Sequence, residues 1–268
     1  MTTRSGPRRI VCLTEEPTET LYALGEQDRI VGISGFTVRP AIARKEKPKV
    51  SAFTSAKIGE ILKLQPDFVV GFSDIQSEIA AELIKHGVEV WISNHRSVDG
   101  IIDYVRRLGA LVGAADKANA YADELRRGLD VIEAQAATLS RRPRVYFEEW
   151  DEPLITGIRW VAELVRIAGG DDVFPAQASE SLAKHRILAD GGPVIAQSPD
   201  IIFGSWCGKK FRPERVAARP GWDAIPAVRD GDLHEIKSPI ILQPGPAALT
   251  DGVREIAGHI HAWAQRNG

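Results

Sequence analysis

Apolar residues along this chain fall into short runs separated by stretches of helical rhythm. Residues 9–13, 30–33, 68–70 and 88–92 are runs of strand length rich in β-branched side chains. Between them, residues 17–24, 56–64 and 77–86 read as helices. Pro17 stands in the first turn of the first helix, and Gly25 and Gly87 follow the first and third, which is where helices favour proline and glycine. Such alternation predicts a parallel sheet with helices on both faces. Residues 114–139 differ, because Ala118, Tyr121, Ala122, Leu125, Leu129, Ile132, Ala136 and Leu139 keep helical steps without interruption. They predict one helix, on the order of 40 Å long at about 1.5 Å per residue. Beyond it come strands at 145–147, 201–203 and 233–236 and helices at 159–168, 193–197 and 251–265.

The two halves echo one another. ILKLQPDFVVGFSD, residues 61–74, repeats as VIAQSPDIIFGSWC, residues 194–207, and the run from Arg9 to Glu15 repeats from Arg144 to Trp150. Pro66 and Pro199 cannot continue a helix, so each copy reads as helix end, Pro-Asp turn, buried strand and glycine. The fold expected is α/β: two Rossmann-like lobes with central parallel sheets, residues 1–113 and 141–268, bridged by a single long α-helix at 114–140.

The formal net charge of the 268 residues is only -2, too little for a global field that would hold the protein on nucleic acid. The first ten residues lead into a strand without the apolar stretch of a secretory leader or a membrane span, which predicts a cytoplasmic chain as written; loss of an original leader would make it periplasmic. Cys12 falls in a buried strand and Cys207 in a loop, so no disulfide is expected.

In open parallel sheets ligands gather beyond the carboxyl ends of the strands. Glu15, Phe36, Phe53, Thr54, Phe72 and His95 from the first half, and Glu149, Trp150, Trp206, Cys207, Lys209 and Gln243 from the second, are the candidate ligand-binding residues. Phe53, Phe72, Trp150 and Trp206 supply aromatic planes for a sizeable ligand with an apolar body. Lys209, Lys210 and Arg212 favour a carboxylate or phosphate on the ligand, or else form a solvated loop. Trp91, Trp160, Trp222 and Trp263 have apolar neighbours and read as packing.

The order of elements, with the segments RIVCLTEEPTETLYALG, IGEILKLQPDFVV, RVYFEEWDEPLITG, LVRIAGGDDVF, VIAQSPDIIFG, ARPGWDAIPAVRDGDLHEI and LQPGP, resembles the cobalamin- and siderophore-type substrate-binding proteins of ABC importers over residues 8–264. The resemblance, nearest to the vitamin B12 branch, implies two lobes joined by one helix that enclose a cobalamin- or corrinoid-like metallo-organic ligand, with no catalytic activity and no cofactor beyond that ligand. A siderophore or haem is the alternative ligand. Family members dock on transporter arginines through one glutamate per lobe. Glu60 matches the first, whereas the register of VIAQSPD puts Gly192 at the second, with Asp190 as a displaced substitute. An ABC permease partner is thereby weakened, and the chain is expected either to serve an importer or to be a relative that binds without feeding one. His95, just after a predicted strand, is the one histidine to watch: in a corrinoid binder an imidazole can replace a weak axial metal ligand, while a loop hydrogen bond is the commoner role.

The rival class is a cleft hydrolase using Glu149 and Asp151, or Cys207 as a nucleophile beside Lys209 with His185 or His95 as base. A hard-metal site of Glu15, Glu16, Glu149 and Asp151 is a further option. His259 and His261, two apart on a helix, lie on different faces and do not suit a shared metal.

Overall fold

A computed structural model describes residues 6–268; the first five, where part of the reading of an absent leader falls, lie outside the described residues. The chain divides into two compact units, one running to His95 and resuming from Asp99 to Arg126, the other made of Arg96–Val98 and Arg127–Gly268.

The first unit is built on a five-stranded sheet of β1 (Ile10–Cys12), β2 (Ile30–Ser34), β3 (Lys49–Ser51), β4 (Phe68–Phe72) and β5 (Val90–Ser93), in the order β3-β2-β1-β4-β5. All four pairings are parallel. Its helices are α1 (Glu15–Ala23), α2 (Ala41–Glu46), α3 (Ile58–Lys63), α4 (Ser77–Lys85) and α5 (Val98–Leu111). Ile10, Val11, Val69 and Val70 have no exposed surface, as expected of strands covered on both faces. Helix α5 goes unassigned from sequence although Ile101, Val105 and Leu108 keep helical steps and are buried; Gly100 and Gly109 inside it lower its intrinsic propensity.

The long helix is α6 (Ala115–Ala136), within which the unit boundary falls. Ala118, Ala122, Leu125, Leu129, Ile132 and Ala136 form its buried stripe, as the periodicity requires.

The second unit contains β6 (Arg144–Asp151), β7 (Leu154–Thr156), α7 (Arg159–Ile167), β8 (Asp171–Asp172), α8 (Pro175–Ala178), α9 (Gly192–Gln197), β9 (Ile201–Gly204), α10 (Pro213–Ala217), α11 (Pro226–Asp230), β10 (Leu233–Glu235), α12 (Ser238–Ile241) and α13 (Val253–Asn267). Strands β10, β9 and β6 pair in parallel and β8 adds to β6 the same way, but β7 returns antiparallel, so this sheet is mixed.

The internal repeat has a physical basis. In the first unit the backbone N–H groups of Arg8 and Arg9 donate to the two carboxylate oxygens of Asp67, at 2.8 and 2.8 Å, and Arg9 Nε donates to Leu64 O at 2.9 Å. In the second, Arg144 N donates to Asp200 Oδ2 at 2.8 Å and Arg144 Nε to Gln197 O at 2.9 Å. Gln65 and Ser198, each before the Pro-Asp pair, take left-handed φ angles of 47° and 46°. Each copy ties the start of a central strand to the end of the preceding helix and so sets the register of β1 on β4 and of β6 on β9.

Candidate ligand-binding site

Strand order reverses direction between β1 and β4 in the first sheet and between β6 and β9 in the second, and such switch points open a crevice at the carboxyl ends of the strands. In the first unit, α1 begins at once after Thr14, so Glu15 and Glu16 stand in its first turn rather than in a loop. Glu15 is 8 % and Glu16 1 % exposed. Thr14 Oγ1 donates to Glu16 Oε1 at 2.6 Å, while Oε2 is buried without a partner. Burial, reinforced by Glu16 and Glu19, pushes the Glu15 carboxyl up to about 8; burial pushes Glu16 up to about 7 against the Thr14 hydrogen bond. Near neutral pH Glu15 largely keeps its proton and Glu16 is divided between its two forms, so the pair can donate hydrogen bonds as well as accept them.

Phe72, expected to line the ligand, is only 4 % exposed and packs edge-on against His95 at 5.1 Å. It closes a strand covered on both faces, so the core rather than the crevice takes its ring. His95 is half-buried, stacks on Tyr104 at 4.5 Å, and shares a 2.7 Å hydrogen bond with Ser93 Oγ through Nδ1. A cavity of about 360 Å³ flanks it, bordered also by Asn94, Asp103 and Arg107. Phe36 is 50 % exposed, Phe53 half-buried and Thr54 exposed. Sequence reasoning missed Gln76. Fully buried, it accepts from Phe72 N and donates to Phe53 O, each at 3.0 Å, and so pins the loop carrying Phe53 to the end of β4. Room for its amide comes from Gly71, whose Cβ would lie 2.3 Å from Gln76 Oε1.

The second switch point is a network of charges. The β6–β7 register shifts between Glu148 and Trp150, leaving Glu149 as the extra residue of a bulge. Strict alternation would group Glu149 with Asp151; past the bulge, Asp151 shares its surroundings with Glu148 instead. Glu148, 0 % exposed, accepts from Arg219 Nη1 at 2.6 Å and Nη2 at 2.9 Å and from Trp206 Nε1 at 3.1 Å. Glu149 takes a two-point contact from Arg186 at 2.6 and 3.2 Å, and Arg186 also donates to Thr156 O. Asp151 accepts from Lys209, with Arg215 at 3.8 Å on its other oxygen. Lys209 Nζ lies 4.2 Å from the Trp150 ring and 5.1 Å from that of Trp206.

Trp206 is therefore not a surface plane. It is 3 % exposed and packs on Phe211 at 5.0 Å, because the buried indole N–H finds its acceptor in Glu148. Gly204, the repeat partner of Gly71, makes space here for Phe211, which a Cβ would meet at 1.9 Å. Trp150 stays half-buried, Cys207 is exposed and outside any disulfide, and Gln243 is half-buried. Arg186, Arg215 and Arg219 carried no motif; only their neighbourhood to the crowded carboxylates, visible after folding, marks them.

Both carboxylates of the hydrolase reading are thus held by cations, and the ammonium offered to Cys207 is committed to Asp151. Among the described residues no group of three His, Cys, Asp or Glu is arranged to hold a metal ion. Glu60 is exposed on α3 and accepts from Lys63 Nζ at 2.8 Å, which lowers its pKa. With Gln65 and Ser198 equivalent, the residue matching Glu60 is Pro193, one beyond Gly192; Asp190 Oδ1 accepts from Gly192 N at 2.8 Å.

A sequence profile of the family described as periplasmic binding protein matches residues 10–240. The vitamin B12-binding protein of Vibrio parahaemolyticus is 24% identical over 266 residues, covering 95% of this chain and 90% of that protein. An ABC transporter substrate-binding lipoprotein of Bacillus subtilis, YvrC, is 24% identical over 276 residues, covering 97% and 82%. Among solved structures, the periplasmic haem-binding protein RhuT from Roseiflexus sp. RS-1 in apo form superposes with a TM-score of 0.83 at 21% identity, over 97% of this chain and 100% of that one. With a family match over most of its length and the same two-unit α/β plan, the chain belongs to the periplasmic binding protein family.

Proposed function

We propose that the protein binds a cobalamin- or corrinoid-like ligand through the loops at the carboxyl ends of its strands, as the substrate-binding component of an ABC-type importer. It is a binding protein and not an enzyme, as its family is. The observation that carries the ligand reading is the partly exposed Trp150 beside Lys209 at the β6–β9 switch point, an aromatic plane with a polar rim. The likeness to a vitamin B12-binding relative supports the ligand class. Haem is the second reading, favoured by the surplus of cations around Asp151.

No helix among the described residues is long and apolar enough to cross a membrane. The cytoplasmic expectation finds no support among relatives, which include a lipoprotein of an ABC transporter and periplasmic proteins. Glu60 is proposed as the docking carboxylate of the first unit. The absence of a carboxylate at Pro193 motivates the further proposal that permease coupling is weak, which ATPase stimulation of a cognate permease measures; strong stimulation refutes it.

A visible-absorbance titration with cyano- and aquocobalamin, ferric siderophores and haem tests the ligand. Trp150→Ala is the informative variant, since Trp206 belongs to the core. Saturable cobalamin binding weakened by the substitution is the expected result. No binding of any of these ligands overturns the reading.

A further inference from the structure

The charges at the β6–β9 switch point do not balance. Glu148 is taken by Arg219 and Glu149 by Arg186, each in a two-point contact. Asp151, whose side chain is 3 % exposed, has two cations, Lys209 on Oδ1 and Arg215 on Oδ2. Three carboxylates thus meet four cations. The surplus lies toward solvent, since the side chains of Lys209 and Arg215 are 35 % and 58 % exposed. Of the three N–H donors of Lys209, one goes to Asp151, and no second acceptor is found among the described residues. Its ammonium sits 4.2 Å from the Trp150 ring centre, so the cation already lies against the aromatic plane. A lysine needed only to neutralise Asp151 would not require Arg215 as well.

Resting on the proposed ligand site, we propose that Lys209 and Arg215 form an oxyanion subsite beside Trp150, receiving a carboxylate or phosphodiester on the ligand while its ring system lies against the indole. Two cations on one buried carboxylate retain attraction for one more negative oxygen, and the planar guanidinium of Arg215 and the ammonium of Lys209 suit either group. The subsite selects among large ring ligands by what their edge carries.

Two ligand pairs separate the sources of the oxyanion. Cobalamin carries a phosphodiester that cobinamide lacks, and haemin carries carboxylates that its dimethyl ester lacks. Affinities for all four are measured by absorbance titration in low salt, with wild type, Arg215→Met and the double variant Lys209→Met with Asp151→Asn, which removes the partners together so that no charge is left buried alone. Thermal melts check folding. The expected result is that wild type favours the oxyanion-bearing member of at least one pair tenfold or more, that the preference shrinks as salt is raised, and that both variants reduce it to threefold or less. The pair that shows it identifies the source. Binding of both members of each pair with equal affinity, or a preference unchanged in the folded variants, overturns the subsite and leaves the ligand reading standing. Failure of all four to bind overturns that reading and the subsite with it.

Discussion

The two buried carboxyls at the start of α1 give the first unit a stability that depends on pH in a calculable way. In the folded chain Glu15 titrates at about 8, against 4.5 for the unperturbed group, because burial and the neighbouring Glu16 and Glu19 disfavour its charge. Between those values the folded protein holds a proton that the unfolded chain has released. Stability therefore falls as pH rises: the penalty is absent below 4.5 and complete above about 8. At about 1.4 kcal/mol per pH unit, this shift sets a ceiling of about 5 kcal/mol. Solvent reaching a residue 8 % exposed lowers the expected value to about 3 kcal/mol. Glu15→Gln has the shape of the protonated acid and no charge to acquire. It is expected to match wild type near pH 4.5 and to exceed it by about 3 kcal/mol at pH 8. Urea unfolding of both proteins, followed by far-UV circular dichroism across that range, measures the difference, and groups common to the two cancel. A stability difference independent of pH, or one that grows toward acid, would refute the reasoning. Glu16, raised to about 7, contributes with the same sign over a narrower window.

The second unit carries the opposite dependence. His259 stacks on His234 at 4.0 Å, and burial followed by repulsion from His234 lowers it to about 4, so the unfolded chain binds more protons between 4 and 6.5 and stability is lost as pH falls through that range. Discounted for its partial exposure the effect is about 1–2 kcal/mol, and His259→Gln should flatten it in acid unfolding curves. Arg219→Met leaves Glu148 buried without its cation and should cost about 3–5 kcal/mol in urea unfolding, with Glu148→Gln added to it restoring part of the loss. Gly204→Ala drives a methyl to 1.9 Å from Phe211 and should destabilise by about 1–3 kcal/mol, with recovery in combination with Phe211→Leu, read as a shift in melting temperature.

Much of the fold was legible because the signals were redundant. Strands β4 and β9 combine β-branched runs with Pro-Asp turns that break the preceding helix, β1 and β6 repeat one another in sequence, and α6 holds one apolar stripe for its whole length. What escaped was either short or decided by tertiary contacts. The three-residue strands β3 and β7 have too few positions for a period to show. The bulge at Glu149 shifts Asp151 into the company of Glu148, and no count of alternating residues reveals it. Trp206 follows a strand and resembles a crevice aromatic until Glu148 is seen to satisfy its N–H from inside. Gln76, Arg186 and Arg219 are single polar residues whose partners are 23, 37 and 71 positions away in sequence, beyond any local pattern.

The repeat also shows where recognition has to be encoded. Both units use the same anchor, an arginine at the start of the central strand tied to the aspartate of the Pro-Asp turn, and both place a glycine near the end of the next strand. From that glycine onward the copies part. Behind Gly71 the space takes the amide of Gln76, which fixes a loop with Phe53; behind Gly204 it takes Phe211, which props Trp206 and leads into the segment bearing Lys209, Arg215 and Arg219. One strand end gathers proton-holding acids and the other a surplus of cations, on scaffolds that start from one plan. A shared scaffold cannot distinguish ligands, so selectivity must lie in residues the copies do not share. Exchanging Lys209 or Arg215 should therefore change which ligand is held while leaving the fold intact, whereas changing Arg144 or Asp200 should weaken the fold and every ligand alike.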